Sequence, residues 1–364
     1  MKPPLSTRQF IVATILIAVC GLTAIGTLNW WVDPFQHYRE STRYKPRFYN
    51  AQQRFVNPGL AMHADYSRII IGSSLMENID TDDVDRAFAD HNKSGRSINL
   101  SMSAMTAYDA NQLLRLALST GKPKHIIMNM DYNAFSGAPN RSGFTSAFPT
   151  YLYDMTIIND GPYLFGLDTI LKSTEILRDA RTSRFSESRA RPWFWADNTV
   201  FSAAKTVRGL DANNLNKNFK QPNRTLAEMQ QSFNDNILPL VRANPNVTFS
   251  FVYLPYSVLV WADFEQRGQV EVTLQFRDYA FARTQTYKNV QWFDFQADGA
   301  LVNNLAHYTD IYHFSPAISR DIVRSIAQNE YRLTLDTLNK NNQWLRESAK
   351  NADAKAIIAG AKSQ

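Results

Sequence analysis

Two short segments, far apart in the chain, carry residue types that together could perform acyl transfer. Gly72-Ser73-Ser74-Leu75 follows a short apolar run, and Asp310-Ile311-Tyr312-His313 lies near the C-terminus. A serine hydroxyl is a weak nucleophile until an imidazole accepts its proton, and a carboxylate fixes the tautomer of that imidazole. The spacing of three places Asp310 beside His313 on a turn. We therefore expect Ser74, His313 and Asp310 to form a catalytic triad.

The same residues also have purely structural interpretations. Ser74 and Glu77 have the Ser-x-x-Glu spacing of a capping box, in which the two side chains close the first turn of a helix. His313 could be a structural histidine that is bonded only to Asp310. The conjunction of both segments, in the order Ser…Asp…His, favours the catalytic interpretation.

Metal and cofactor chemistry have little support in the sequence. The single cysteine, Cys20, excludes a CxxC-type metal site and an internal disulfide framework. His307 precedes His313 by six residues and could complete a metal site with Asp310, but this spacing is a weak signal. We expect neither a metal nor a cofactor. The aromatic segment Trp193–Trp195 could stack on sugar rings, although local packing is the favoured interpretation.

A mainly parallel β-sheet is predicted to position these segments. Strands alternate with helical patterns such as 107–118 and 318–331, which predicts an α/β fold with helices on both faces of the sheet. Ligands of such sheets bind at the carboxyl ends of the strands. Ser74 directly follows the first strand, so it lies where a site is expected. The predicted strands are 68–72, 97–101, 125–130, 247–254 and 290–295.

The composition excludes several classes of protein. The chain has 364 residues, of which 44% are hydrophobic and 12% aromatic, so it can bury a core and is not disordered. A mean hydropathy of −0.34 excludes a polytopic membrane protein. The net charge of +6 is too small for this length to indicate nucleic-acid binding. It is compatible with an anionic envelope polymer.

One segment departs from this average. Residues 10–28 contain no charge, and nineteen residues nearly span a hydrocarbon core of about 30 Å. Lys2 and Arg8 precede the segment and Trp30 and Trp31 follow it, which favours a cytoplasmic N-terminus and an interfacial anchor at the far side. We predict a single-pass protein of the bacterial inner membrane whose remaining chain lies in the periplasm.

Two alternatives to a retained span stay open. A cleaved signal peptide has a shorter apolar region and a small-x-small exit, which is absent here. A lipoprotein anchor would acylate Cys20, but Val19 is bulky where a small residue is expected. The predicted organisation is a cytoplasmic N-terminus (1–9), a transmembrane helix (10–31), a connector (32–65), an α/β domain (66–330) with an inserted cap (135–245), and a C-terminal tail (331–364) formed by an exposed helix.

The two motifs resemble those of the SGNH (GDSL-like) hydrolase superfamily, which has Gly-x-Ser after the first strand and Asp-x-x-His near its end. The resemblance covers about residues 66–330 and implies a flavodoxin-like three-layer α/β/α fold with a parallel sheet. It implies Ser74 as nucleophile, His313 as base and Asp310 as its partner. The membrane-tethered Gly-Ser-Ser variant is most similar to the branch of alginate O-acetylation and lipoteichoic-acid D-alanyl transfer proteins.

The resemblance also implies an oxyanion hole. Two backbone N–H groups would supply donors. One is that of Ser74, and the other is that of Ala104, which aligns with a glycine of the family. The family's third motif contributes an asparagine side chain at a position that Met130 occupies here. Asn129 or Asn133 could substitute, and because a strand alternates its faces only one of them is expected to point correctly.

Three functions are compatible with these residues. The first is transfer of an acyl group, in particular acetyl, to an envelope or exported polysaccharide, with a membrane-bound O-acyltransferase as the partner that the resemblance implies. The second is a carbohydrate acetyl esterase that uses the same triad with water. The third is a catalytically degenerate domain that binds glycan or acts as a scaffold in a synthesis complex.

Overall fold

A computed structural model describes residues 6–91, 93–143, 148–180 and 188–363, and the chain divides into two compact units. The first unit comprises 1–64 and 149–188, and the second comprises 65–148 and 189–364. The helices are α1 (Thr7–Val32), α2 (Gln53–His63), α3 (Ser74–Glu77), α4 (Thr81–Ala89), α5 (Ala107–Ser119), α6 (Gly161–Phe165), α7 (Leu167–Ala180), α8 (Ala203–Thr206), α9 (Leu226–Asn236), α10 (Leu238–Ala243), α11 (Val258–Gln266), α12 (Val270–Thr284), α13 (Gly299–Val302), α14 (Pro316–Gln328), α15 (Leu335–Asn351) and α16 (Ala354–Lys362).

The second unit contains a five-stranded, fully parallel sheet in the order β2-β1-β3-β4-β5. This confirms the predicted α/β fold class, and each strand lies inside a predicted run. The apolar runs form strands because β-branched and aromatic side chains pack well on both covered faces of a parallel sheet. The strands are β1 (Arg68–Ile71), β2 (Ser97–Asn99), β3 (His125–Asn129), β4 (Thr248–Tyr253) and β5 (Val290–Asp294).

The hydrogen-bond ladder continues past the strand ends and aligns the loops that follow. Met102 N donates to Gly72 O at 3.0 Å, beyond the β1–β2 register, and Met130 N donates to Val252 O at 2.9 Å beyond β3. The loops after β1, β2 and β3 therefore leave the same edge of the sheet together. This edge is where ligands of parallel sheets bind.

The C-terminal segment is helical, as predicted, but its helix is not an exposed tail. In α15, the side chains of Leu338, Leu345 and Ala349 are buried, and the helix packs against α11 and α12. Asn342 accepts a hydrogen bond of 2.6 Å from the buried guanidinium of Arg277. The apolar residues are sparse in this segment but recur at helical spacing, which is enough to bury one face.

In the first unit, α1 is long and apolar enough to cross a membrane, which confirms the predicted apolar N-terminal helix. Its 26 residues correspond to about 39 Å at 1.5 Å per residue. Helices α6 and α7 pack against it. Asn29 holds both helices, since its Nδ2 donates to Leu164 O at 2.7 Å and its Oδ1 accepts from Ser173 Oγ at 2.8 Å.

The connector belongs to this first unit, where it forms a buried polar cluster. Asp33 accepts a hydrogen bond of 2.6 Å from the hydroxyl of Tyr163, and His37 Nε2 lies 3.3 Å from Asp160 Oδ1. These contacts join residues 33–37 to the segment that begins at 149. The predicted insertion at 135–245 is therefore not one cap, because residues 149–188 belong to the first unit and 189–245 to the second.

Candidate functional site

The loop after β1 is a tight turn that only glycine permits. A Cβ atom added to Gly72 would lie 2.7 Å from both Asn129 Cβ and Met76 Cγ, closer than real Cβ atoms approach. The missing side chain lets α3 start directly against the end of β3. Ser73 occupies the N-cap position and Ser74 is the first helical residue. The turn thus places Ser74 at the carboxyl edge of the sheet.

The capping-box interpretation of Ser74 and Glu77 is wrong. Ser74 Oγ lies 2.8 Å from His313 Nε2 instead of the N–H groups of α3. The carboxylate of Glu77 is buried and accepts a hydrogen bond of 2.9 Å from Ser103 Oγ. Ser73 makes no side-chain cap either. Local spacing alone misassigned the hydroxyl because its partner is 239 residues away.

The three residues predicted as a triad form one continuous hydrogen-bonded chain. His313 Nδ1 lies 2.8 Å from Asp310 Oδ2, opposite the Nε2 that faces Ser74. The other oxygen of Asp310 accepts the backbone N–H groups of Tyr312 at 2.8 Å and His313 at 2.9 Å. The carboxylate is therefore held on both oxygens. This orients the imidazole with Nδ1 as donor and leaves Nε2 able to accept a proton from the serine.

Neighbouring elements hold the histidine loop in place. Thr309 N donates to His313 O at 3.0 Å, which closes the turn around Asp310. Ser257, at the start of α11, donates to Ile311 O from its backbone and its hydroxyl at 3.1 and 2.8 Å. Trp195 packs edge-on against the imidazole, with ring centroids 5.3 Å apart. The imidazole is thus fixed by a turn, the start of α11 and an aromatic ring.

The charges around His313 favour its protonated form. Burial acts to lower the pKa of the imidazole, but the hydrogen bond and charge of Asp310, with the charges of Glu77 and Asp131, raise it above its ordinary value. For Asp310, burial acts to raise the pKa, yet the bonds from His313 and Tyr312 lower it overall. Asp310 consequently stays ionised while His313 gains basicity, as a general base requires.

Ala104 takes the left-handed backbone conformation that the aligned family glycine would adopt. Its φ is 51°, a region that costs an L-residue about 1–2 kcal/mol. Within the described residues, neither its backbone N–H nor that of Ser74 donates a hydrogen bond to another group. Both residues line the same small cleft. Two backbone N–H groups without a partner among the described residues thus belong to residues at this cleft, as an oxyanion hole would require.

The structure separates the two candidate asparagines. Asn129 is buried against the turn that carries Ser73 and Ser74, and its Nδ2 lies 3.4 Å from Ser73 Oγ. Asn133 lies in the small cleft with Ser74 and Ala104, because the chain leaves β3 and enters a 3₁₀ helix at Tyr132–Phe135. Asn133 is thus the better placed oxyanion donor.

Arg224, which sequence reasoning missed, fixes the amide of Asn133. Its Nη1 donates to Asn133 Oδ1 at 2.9 Å and its Nη2 to Thr273 Oγ1 at 3.2 Å, and the side chain is buried. An arginine only donates, so the amide atom that faces it must be the oxygen. The Nδ2 group of Asn133 makes no hydrogen bond within the described residues. No local sequence signal marks Arg224, since it lies 91 residues from its partner.

Two clefts meet at Ser74 and His313. The smaller, about 220 Å³, contains Ala104, Asn133 and the apolar side chains of Leu75, Met105 and Phe219. The larger, about 880 Å³, is more polar and open. Its walls include Glu77, Ser103, Trp195, Asn198, Thr199, Ser202, Lys205 and Arg208. The side chain of Ser74 can therefore be reached from two sides.

Of the remaining predicted candidates, Trp193 and His307 lie away from the triad, and Trp195 lies beside it. Trp193 is fully buried and donates to Asn99 O at 3.0 Å, so it packs, whereas Trp195 faces the larger cleft. His307 bonds to Asn304 and to Leu301 O. Among the described residues, no group of three His, Cys, Asp or Glu side chains could hold a metal ion.

The comparisons with known proteins give no family assignment. No protein-family model matches the chain, and no curated protein sequence matches it at a significant level. The function is therefore argued from the geometry of the site.

Proposed function

We propose that the chain is a membrane-anchored serine acyltransferase of SGNH type that moves an acyl group, in particular acetyl, onto an envelope or exported polysaccharide. The observation that carries the proposal is the chain of 2.8 Å contacts from Ser74 Oγ through His313 to Asp310 at an open cleft. The strand order 2-1-3-4-5 supports it, since this is the flavodoxin-like order, whose ligands bind at the same strand ends.

In the proposed reaction, Ser74 Oγ attacks the carbonyl carbon of the acyl donor while His313 Nε2 takes the serine proton. The N–H groups of Ser74 and Ala104, with Asn133 Nδ2, stabilise the negative oxygen of the tetrahedral intermediate. The intermediate collapses, and His313 returns the proton to the departing alkoxide. The acyl group is then an ester of Ser74.

The second half of the reaction reverses the first with a different alcohol. A sugar hydroxyl loses its proton to His313 Nε2 and attacks the acyl-serine carbonyl. Ser74 Oγ leaves and recovers the proton, which yields the acylated sugar and free enzyme. In this scheme the small cleft suits the acyl group, because it is the smaller of the two and contains Ala104 and Asn133, and the larger cleft suits the sugar. The proposed donor is supplied by a membrane-bound O-acyltransferase on the periplasmic side.

Esterase activity is the second candidate, and the openness of the larger cleft favours it. Nothing in the described walls closes the 880 Å³ cleft over Ser74, so water can reach the acyl-serine. Transfer in preference to hydrolysis requires that bound acceptor exclude this water. The two activities share every catalytic residue and differ only in the second nucleophile.

A serine-directed probe tests the triad. The full-length protein in detergent is incubated with a fluorophosphonate, and labelling is followed by mass spectrometry. We expect labelling of Ser74 that Ser74→Ala abolishes and that Ser73→Ala, the matched control one residue away, retains. Absence of labelling in folded wild-type protein would instead favour the scaffold function.

A product assay separates transfer from hydrolysis. Wild-type protein that has not been treated with the probe is supplied with p-nitrophenyl acetate and candidate oligosaccharides, and acetylated sugar is measured against a Ser74→Ala background. Transfer predicts ester product that depends on both the sugar and Ser74. Release of acetate alone, at a rate that no sugar alters, would leave the esterase as the function.

A further inference from the structure

The first unit exposes a set of large apolar side chains that the proposed catalysis does not use. They lie in the loop before α6 and on α6 and α7, all within 149–188. Ile158 is 91% exposed, Ile157 73% and Leu167 69%. The whole set is Met155, Ile157, Ile158, Phe165, Leu167, Leu171 and Leu177. So many exposed large apolar side chains within about 25 residues indicate an interaction surface, since soluble proteins rarely leave large apolar areas uncovered.

Helix α7 places three leucines of this set on its exposed side, in an arc that also contains Thr174 and Arg178. Leu167, Leu171 and Leu177 fall within about 120° of the helix circumference at 3.6 residues per turn. The polar residues Glu175 and Asp179 face the connector, where both bind Arg47, at 2.9 and 2.7 Å. Glu175 and Asp179 are therefore satisfied inside the unit, and the three leucines are left without a partner in the described residues.

The position of α6 and α7 along α1 indicates what covers the apolar face. Asn29 bonds to Leu164 and Ser173, and the ring of Phe165 lies 3.0 Å from where a Gly26 Cβ would be. Gly26 and Asn29 are only three to six residues before Val32, the last residue of α1, which at 1.5 Å per residue is about 5–9 Å. The two helices thus flank the last turns of the apolar span.

The groups at this end of α1 are those of a membrane interface. The guanidinium of Arg39 lies 4.5 Å from the centre of the Trp30 ring, and that of Arg43 lies 5.3 Å from the Trp31 ring. Tryptophans concentrate at the headgroup level, and arginine pairs with headgroup phosphates. These residues place the exposed apolar face beside the boundary between hydrocarbon and headgroups.

We propose that α6, α7 and the loop at 155–158 lie in the membrane leaflet at the C-terminal end of α1, as a second, non-spanning attachment. The occupant of the apolar face is lipid acyl chain. Interfacial helices of this type bury one apolar face at the boundary between headgroups and acyl chains. The proposal rests on α1 crossing the membrane and is independent of the triad.

Spin-label accessibility in lipid nanodiscs tests this attachment. Full-length protein, one copy per disc of phosphatidylcholine and phosphatidylglycerol, carries a nitroxide at Ile158→Cys or Leu171→Cys in a Cys20→Ser background. Collision rates are measured with oxygen, which concentrates in lipid, and with a nickel chelate, which stays in water. Leu335→Cys is the matched control, an exposed leucine of the second unit. We expect a higher oxygen-to-nickel ratio at 158 and 171 than at 335.

A label on the native Cys20, in the middle of α1, separates failure of this proposal from failure of the anchor. Suppose that the label at Cys20 collides mainly with oxygen while the label at 158 or 171 collides mainly with the nickel chelate. That result would overturn the interfacial attachment but would leave α1 as a membrane span. Nickel dominance at Cys20 would remove the anchor on which the proposal rests. A label at 158 or 171 that neither reagent reaches would show that protein, not lipid, covers the face, which overturns the proposal as well.

Discussion

Two histidine–aspartate pairs in the described part of the chain have different surroundings. His313 Nδ1 lies 2.8 Å from Asp310, and its Nε2 meets Ser74 at the junction of two clefts. His37 lies 3.3 Å from Asp160, but both side chains are buried, and within the described residues His37 Nδ1 has no hydrogen-bond partner. A histidine–aspartate pair is therefore not by itself evidence of catalysis. His313 differs from His37 because its second imidazole nitrogen contacts a serine hydroxyl and because two clefts reach this contact.

The largest expected difference between the two pairs is in turnover. We expect His313→Ala to lower kcat for p-nitrophenyl acetate about 10⁶-fold, as loss of the general base does in other triads. His37→Ala should leave kcat per folded molecule unchanged and instead lower the free energy of unfolding by about 1–3 kcal/mol, because Asp160 loses a buried partner. If His313→Ala and His37→Ala both fold and lose the same amount of activity, the proposed difference between the two pairs is wrong.

Asp310 and Asp160, the aspartates of the two pairs, should also differ in their effect on activity. Asp310→Asn should reduce kcat about 10⁴-fold, since an amide favours the wrong imidazole tautomer. Asp310 also raises the pKa of His313, and catalysis needs the neutral imidazole, so activity falls as pH drops through that pKa. In the variant the acid limb of the pH–rate profile should move to lower pH. Asp160→Asn is the control. If its pH–rate profile also shows a shifted acid limb, the two aspartates do not have separate roles.

The proposed oxyanion donors are a second feature that distinguishes the surroundings of His313 from those of His37. We expect Asn133→Ala to lower kcat about 10²–10³-fold, the usual effect of one lost donor. Asn129→Ala is the matched control, because Asn129 contacts Ser73 from behind the turn and should change stability more than rate. Steady-state kinetics with p-nitrophenyl acetate provide the measurement. A larger loss of kcat in Asn129→Ala than in Asn133→Ala would assign the oxyanion donor to Asn129.

Glu77 contributes a smaller, electrostatic difference between the pairs. Its charge helps to raise the pKa of His313, so Glu77→Gln should move the acid limb of the pH–rate profile to lower pH. A shift smaller than one pH unit would change the rate near that limb by less than about tenfold. Ser103→Ala removes the hydrogen bond to Glu77 but keeps the charge, and it should leave the limb in place. An unmoved limb in Glu77→Gln would exclude this contribution.

The smallest expected effect concerns the backbone beside the serine. Ala104→Gly relieves a left-handed conformation that costs about 1–2 kcal/mol, against a gain in unfolded-chain entropy worth about 0.4–1 kcal/mol. The net result should be a slightly higher Tm with kcat retained. Ala359→Gly, inside α16, is the control and should lower the Tm. A lower Tm for both variants would show that Ala104 is not strained.

The strands and the two motifs were predictable because their signals are local. The run Arg68–Ile71 is fully buried in the sheet, and three residues separate Asp310 from His313, so neighbouring residues suffice to predict both. The cap hypothesis for Ser74 failed for the opposite reason, since local spacing cannot weigh a partner 239 residues away. The role of Ser74 as nucleophile stays a prediction until the probe experiment is done.

Features that depend on distant packing were beyond the sequence. Alternation along a strand could not choose between Asn129 and Asn133, because the strand ends at Asn129 and a 3₁₀ turn follows. Arg224 has no motif, and its role depends on a side chain 91 residues away. The division of the predicted insertion depends on contacts such as Asn29 with Ser173, which a linear pattern does not contain.

The bonds of Asn29 have a consequence for biosynthesis. Its two partners, Leu164 and Ser173, follow it by 135 and 144 residues. At an elongation rate of about 5–20 residues per second, a ribosome needs roughly 7–27 s to synthesise the first 135 of these residues. During that interval α1 carries an unpaired amide near its end, and the connector lacks the residues that bury Asp33. The residues of α1 are therefore synthesised well before those that complete its own unit, and a nascent chain shorter than about 173 residues cannot form that unit.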